Sequence, residues 1–135
     1  MRCGKDNFIQ ELEGIFNVKN LEENNNIVFT FSSMNLGGVE KELGYLLMET
    51  YLHTLADLDF LPKTIILYNE AVLFAISSSK LNIYFRKLQS RGVEILLCST
   101  STRYYQIDSK INIGQLTSMK TILEKKMSAT KLIVL

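Results

Sequence analysis

Short apolar runs in this chain alternate with longer stretches in which apolar residues return every three or four positions. Ile27 to Phe31 has high β propensity and reads as a first strand. Ser32 to Gly38 is a loop at its carboxyl end, where Gly37-Gly38 gives backbone freedom. Val39 to Leu58 reads as a long helix. Leu43, Leu46, Leu47, Thr50, Tyr51, Thr54 and Leu55 recur there at helical intervals, and Glu40 and Glu42 sit in the first turn, where the dipole favours them. Pro62 ends the following link, and Lys63 to Tyr68 is the second strand. Glu70 to Ile76 reads as a loop with a helical turn. Ser79 to Arg91 is a helix capped by Ser77, Ser78 or Ser79, with Leu81, Ile83, Tyr84, Phe85 and Leu88 facing a sheet and Gly92 as its stop. Val93 to Leu97 is the third strand, followed by a helix to about Gln106 and a turn at Ile107 to Lys110. Ile111 to Ile113 is a brief strand ended by Gly114. Thr117 or Ser118 caps a helix to about Ser128, where Lys125-Lys126 suits the dipole, and Lys131 to Leu135 is the last strand. This alternation predicts a parallel sheet covered on both faces.

Residues 1–26 differ from the rest. Asn7 to Phe16 carries Phe8, Ile9, Leu12, Ile15 and Phe16 at helical spacing, and Leu21 to Asn26 is a polar linker. The organisation is therefore a helix and linker over 1–26 and one domain over 27–135. A chain of 135 residues with 47% hydrophobic and 21% charged residues suits one globular unit. Net charge is +1, and no basic stripe is interleaved with aromatics, so nucleic acid is not the expected partner. No apolar run approaches the roughly 20 residues that span a bilayer, and no signal pattern opens the chain, so a cytoplasmic protein is the expectation. Cys3 and Cys98 are isolated, and with one histidine they make neither a structural disulfide in a reducing compartment nor a zinc site.

Chemistry concentrates in Gly92 to Tyr105. The apolar run Val93 to Leu97 stops at Cys98, and Ser99, Thr100 and Ser101 are each good helix caps. That order places a sulfur at the carboxyl end of a strand and at a helix start. Ligand sites of open α/β sheets lie at such strand ends, and a helix N-terminus lowers a thiol pKa. The alternative is that Cys98 is a small buried hydrophobe. Other constellations fail. Gly37-Gly38 lacks both the G-x-G-x-x-G and the Gly-Lys-Ser/Thr patterns, so only weak anion binding is left there. Ser32, Ser33, Thr100 and Ser101 have no positioned base, because the sole histidine, His53, sits in the long helix without a partner. Tyr104-Tyr105 reads as packing.

Residues 27–135 resemble the DsrE-like sulfur-relay proteins. The likeness is nearest to the C-terminal domain of the YedF-type sulfurtransferase-like selenium-metabolism proteins. Its pieces run in order: Glu42-Leu43-Gly44 with Leu47-Met48, Leu61 to Asn69, Gly92 to Cys98 with Thr100 and Tyr105, Lys110, Gly114, and Thr117-Ser118-Met119 leading to Ile122 and Glu124. The resemblance implies a three-layer α/β/α sandwich around a mostly parallel five-stranded sheet, assembled into homo- or hetero-oligomers. It implies that Cys98 carries sulfur as a persulfide between protein donor and acceptor thiols, without metal or organic cofactor. Ser99, Thr100 and Ser101 would surround the persulfide, and Arg103 would offset its charge if it turned inward.

The chain also departs from that pattern. Cys98-Ser99-Thr100-Ser101 stands where relatives tend to read Cys-Gly-Thr-Cys, so a second thiol is missing. The loop Leu36-Gly37-Gly38-Val39 replaces Met-Gly-x-Gly, beside Ser32 and Ser33. Tyr68-Asn69-Glu70-Ala71 replaces Tyr-Asn-x-Gly, and Glu70 would raise the pKa of a nearby thiol. The upstream carrier domain with its Cys-Pro motif is absent, and 1–26 would be the remnant of its connection. Two readings follow: a one-cysteine sulfur relay, or a non-catalytic oligomeric binding or regulatory subunit of sulfur or selenium metabolism that kept the fold and lost the reaction.

Overall fold

The computed structural model describes residues 26–135. The helix expected over Asn7 to Phe16, the linker as far as residue 25, and Cys3 lie outside the described residues. Five strands form one all-parallel sheet: β1 (Ile27–Phe31), β2 (Thr64–Leu67), β3 (Glu94–Cys98), β4 (Gln115–Thr117) and β5 (Lys131–Val134), in the order β4-β3-β2-β1-β5. The chain steps outward from β1 to β4 and then returns to the other side of β1. Four α-helices connect them: α1 (Lys41–Asp57), α2 (Asn82–Ser90), α3 (Ser99–Tyr104) and α4 (Met119–Ser128). A 3-10 segment, Asn69–Ala75, follows β2 where the sequence pattern predicts a loop with a helical turn.

The strands are continuous apolar runs because both faces of the central ones are buried. Alternate residues divide them between two cores. Phe29, Phe31, Ile65, Leu67, Ile95 and Leu97 point to the larger core, with Met48, Leu52 and Leu55 of α1, Leu81 at the cap of α2, Phe85 and Leu88 within α2, and Val72 and Phe74 of the 3-10 segment. Phe85 stacks on Phe74 with ring centroids 5.0 Å apart and meets Phe31 edge-on at 5.8 Å. Val28, Ile66, Leu96 and Cys98 point to the opposite face, where Ile122 of α4 closes a second, smaller core. The layers are thus α/β/α, with a thick side and a thin one.

Three local expectations are corrected. Of the leucines of the α1 repeat only Leu55 lies on its inner face, with Gly44, Met48, Leu52 and Ala56, while Leu43, Leu46 and Leu47 are exposed, Leu46 by 58%. In α2, Ile83 is 63% exposed and Asn82 is buried in its place. The Asn82 side-chain amide donates to the Phe74 carbonyl and to Asn112 Oδ1, both at 2.8 Å. Leu81 occupies the α2 cap with no side-chain cap bond, so none of the three serines caps it.

The fourth strand is also displaced, to Gln115–Thr117 rather than Ile111–Ile113. Ile111 makes only an isolated antiparallel bridge with Ile76, and Ile113 is buried in the larger core. Gly114 immediately precedes the strand instead of ending one. Its φ is +72°, and a Cβ there would lie 2.9 Å from the Ile95 carbonyl oxygen, so the close approach of β4 to β3 needs glycine. Ser118 does cap α4, accepting from the Thr121 N–H at 3.3 Å.

Candidate functional site

Cys98 is the last residue of β3 and the N-cap of α3. Its position follows from the strand period: residues 96 and 98 share the thin face, so the sulfur joins Leu96, Val28, Ile66 and Ile122. It is the free cysteine among the described residues and is 2% exposed. On one side it pairs with Thr117 of β4. On the other, the β2–β3 register ends at Leu67 opposite Leu97, and the next residue, Tyr68, packs against the small core that holds Cys98.

Polar groups converge on this sulfur from the first turn of α3. Burial is the largest single influence and pushes the thiol pKa up. The Ser101 hydroxyl, the backbone N–H groups of Ser101 and Thr100, and the Thr100 hydroxyl together outweigh it, and the thiol is held below its ordinary value. The Cys98 side chain makes no cap hydrogen bond of the ordinary kind to the first turn of α3. Ser101 is itself oriented, because the Asn69 N–H donates to its Oγ at 2.9 Å. Asn69 reaches that position with a φ of +53°, a left-handed conformation that asparagine tolerates better than most residues. Asn69, Thr100, Ser101, Tyr104 and Tyr105 line a cleft of about 290 Å³ against this wall. The two tyrosine rings meet edge-on at 5.2 Å.

The other sequence-derived candidates take different places. Thr100 and Ser101, rather than Ser99, supply the N–H groups; the Ser99 carbonyl accepts from the buried Thr102 hydroxyl at 3.1 Å. Arg103 turns outward, its side chain 73% exposed and 4.0 Å from Asp108. Glu70 faces the β1 loop: its Oε1 accepts from the Ser33 hydroxyl and the Met34 N–H, both at 2.9 Å. The expected upward push of Glu70 on the thiol is therefore not what governs Cys98. Ser32 donates to the Leu135 carbonyl at 3.3 Å, where β1 and β5 adjoin. Gly37 and Gly38 are exposed left-handed turn residues with open space where a Cβ would sit, and the Leu36 N–H beside them bonds to the Gly44 carbonyl at 2.9 Å. His53 is exposed and edge-on to Tyr84.

Two neighbours were not singled out from sequence. Tyr68 packs against the small core holding Cys98, and Lys126 of α4 lies over the Tyr68 ring, its Nζ 5.0 Å from the centroid. Only the end of a β-rich run at Tyr68 and a helical interval of four from Ile122 to Lys126 hinted at the pair. Among the described residues, no cluster of His, Cys, Asp or Glu is arranged to hold a metal ion. No helix among them is long and apolar enough to cross a membrane.

Known structures share this architecture. The crystal structure of the YchN protein from E. coli superposes with a TM-score of 0.58 at 20% identity, covering 82% of this chain and 99% of YchN. A protein of unknown function from Methanobacterium thermoautotrophicum, MTH1491, superposes with a TM-score of 0.60 at 19% identity, covering 81% and 97%. No protein-family model and no curated protein sequence matches the chain. The chain therefore has a YchN-like α/β fold.

Proposed function

We propose that this protein is a sulfur carrier that works through Cys98, in the manner of DsrE-like relays. The observation that carries the reading is the place of Cys98, a free thiol that ends β3 and caps α3 at the carboxyl edge of the sheet, with the Thr100 and Ser101 donors of the next turn holding its pKa down. Such donors favour a thiolate, the form that attacks sulfur. In the loading step the Cys98 thiolate attacks the outer sulfur of a donor persulfide. A new S–S bond forms on Cys98, the donor's S–S bond breaks, and the donor leaves as its thiolate. In the second step an acceptor thiolate attacks the outer sulfur and Cys98 leaves as thiolate. The two steps are redox-neutral overall and need no metal or organic cofactor. With serine at 101, no neighbouring cysteine in the first turn of α3 can release the sulfur as a disulfide, and the reading assigns the acceptor thiol to another molecule. The same reading includes partner proteins and further subunits, which the exposed leucines of α1 support.

One observation favours a second reading, in which the fold serves binding or regulation and the thiol is inert: Cys98 is almost wholly covered. Intact mass after incubation of the reduced protein with a low-molecular-weight persulfide, beside a Cys98→Ala control, separates the two. A gain of one sulfur on the wild type alone, reversed by reductant, is the result expected of a carrier. No gain on Cys98 overturns it in favour of the second reading.

A further inference from the structure

A thiolate cannot exchange sulfur while it is covered, because the partner sulfur must approach along the axis of the bond that breaks. Cys98 pairs with Thr117 of β4, and Tyr68, the residue after β2, packs against the small core that holds the sulfur. Thr117 is held in a hydrogen-bonded ladder, and Ile122 above is buried within the small core. Tyr68 is partly buried, as Thr117 is, but it lies outside the strands, just after β2, and the left-handed Asn69 follows it. Its ring is held from the outside by Lys126, which makes no ion pair among the described residues, unlike the adjacent Lys125, whose Nζ lies 3.1 Å from Glu94 Oε1.

We infer that Tyr68, clasped by Lys126, is the cover that meters access to the Cys98 sulfur. The inference rests on the reading of Cys98 as the reacting thiol and adds the device by which a covered thiol is exposed. The ring leaves by side-chain rotation, while the backbone stays fixed by the Tyr68 N–H to Phe31 carbonyl bond (3.1 Å) and by the contact of Asn69 with Ser101. Lys126 sets how often the ring leaves. A partner that offers a carboxylate to Lys126 would draw it off the ring and open the site on docking.

The test is the rate of Cys98 alkylation by iodoacetamide, a small neutral reagent, across pH. The high-pH plateau reads access and the midpoint reads the thiol pKa. Tyr68→Ala raises the plateau strongly, and Tyr68→Phe, which keeps the ring, leaves it near the wild-type value. Lys126→Met keeps the apolar stem and removes the cation. Loss of one such cation–π contact corresponds to a roughly two- to fivefold higher plateau. Lys126 is only partly buried and methionine keeps its stem, so Lys126→Met tests the idea even if Tyr68→Ala fails to fold. Unchanged plateaus in Tyr68→Ala and Lys126→Met, or changes confined to the midpoint, overturn the proposal. Alkylation needs no sulfur donor, so a failure of the relay reading leaves this result independently readable.

Discussion

The Asn69 N–H donates to the Ser101 hydroxyl oxygen at 2.9 Å and joins the turn after β2 to the helix after β3. The bond occupies a lone pair of the oxygen and leaves the hydroxyl hydrogen free for Cys98. Ser101 is thereby pre-set as a donor to the sulfur.

Replacing it with alanine removes the side-chain donor and keeps the backbone N–H. Ser101→Ala is expected to move the midpoint of the Cys98 alkylation profile to higher pH, with the fold intact by circular dichroism. Ser99→Ala, whose hydroxyl does not act on the sulfur, is expected to leave the midpoint in place. Equal midpoints in Ser101→Ala and wild type would contradict the arrangement.

The lowered Cys98 pKa also ties stability to pH. The folded pKa lies below the unfolded one, so this thiolate contributes stability that is fully present above the unfolded value of about 8.5. That contribution is lost as pH falls through the folded pKa. Denaturant unfolding in the presence of reductant should show wild type gaining on Cys98→Ala as pH rises from neutrality toward about 9. A difference that is flat or shrinks over that window would mean that the donors do not hold the anion.

The inward side of α1 can be checked by paired truncations. Leu52 is fully buried, and Leu52→Ala should cost about 2–5 kcal/mol. Leu46 faces outward, and Leu46→Ala should stay within about 0.5 kcal/mol at low protein concentration. Denaturation midpoints at equal slope report both values, and a reversed order would put the leucine stripe back on the sheet.

Gly114→Ala is expected to be costly for a small change. It adds a methyl 2.9 Å from the Ile95 carbonyl oxygen at a residue with φ of +72°. The loss should exceed about 1 kcal/mol, beyond the ordinary penalty for alanine at positive φ. Gly92→Ala has positive φ with open space around it and serves as the comparison: thermal unfolding should rank it clearly above Gly114→Ala.

The sheet was legible because strands buried on both faces are written as uninterrupted apolar runs, as in Ile65-Ile66-Leu67 and Ile95-Leu96-Leu97. The thiol at the end of β3 was legible for the same reason, since the run stops there and good caps follow. The inner side of α1 was not, because the helix carries two apolar stripes of equal period. The buried one uses Gly44 and Ala56, whose small size lets α1 lie close but adds little to a hydrophobic pattern. β4 was misplaced because Ile111 and Ile113 look like a strand but serve a bridge and a core plug, while the real edge strand is polar. The neighbours of Cys98 depended on which residues meet across elements. Spacing along the chain carries no record that Lys126 lies over Tyr68, or that Glu70 turns to Ser33.

The return of the chain to β1 has a consequence for biosynthesis. Ile27 pairs with Lys131, so β1 is the second strand from one edge of the sheet but meets its outer neighbour last. While the polypeptide is being made, β2 and then β3 can assemble on one side of β1 as they emerge. The other side shows bare amide and carbonyl groups until the ribosome has released β5. An unpaired strand edge is where chains join one another by mistake. The nascent protein is therefore at risk of aggregation until β5 has emerged, and β5, although short and largely exposed, is the strand that ends that exposure.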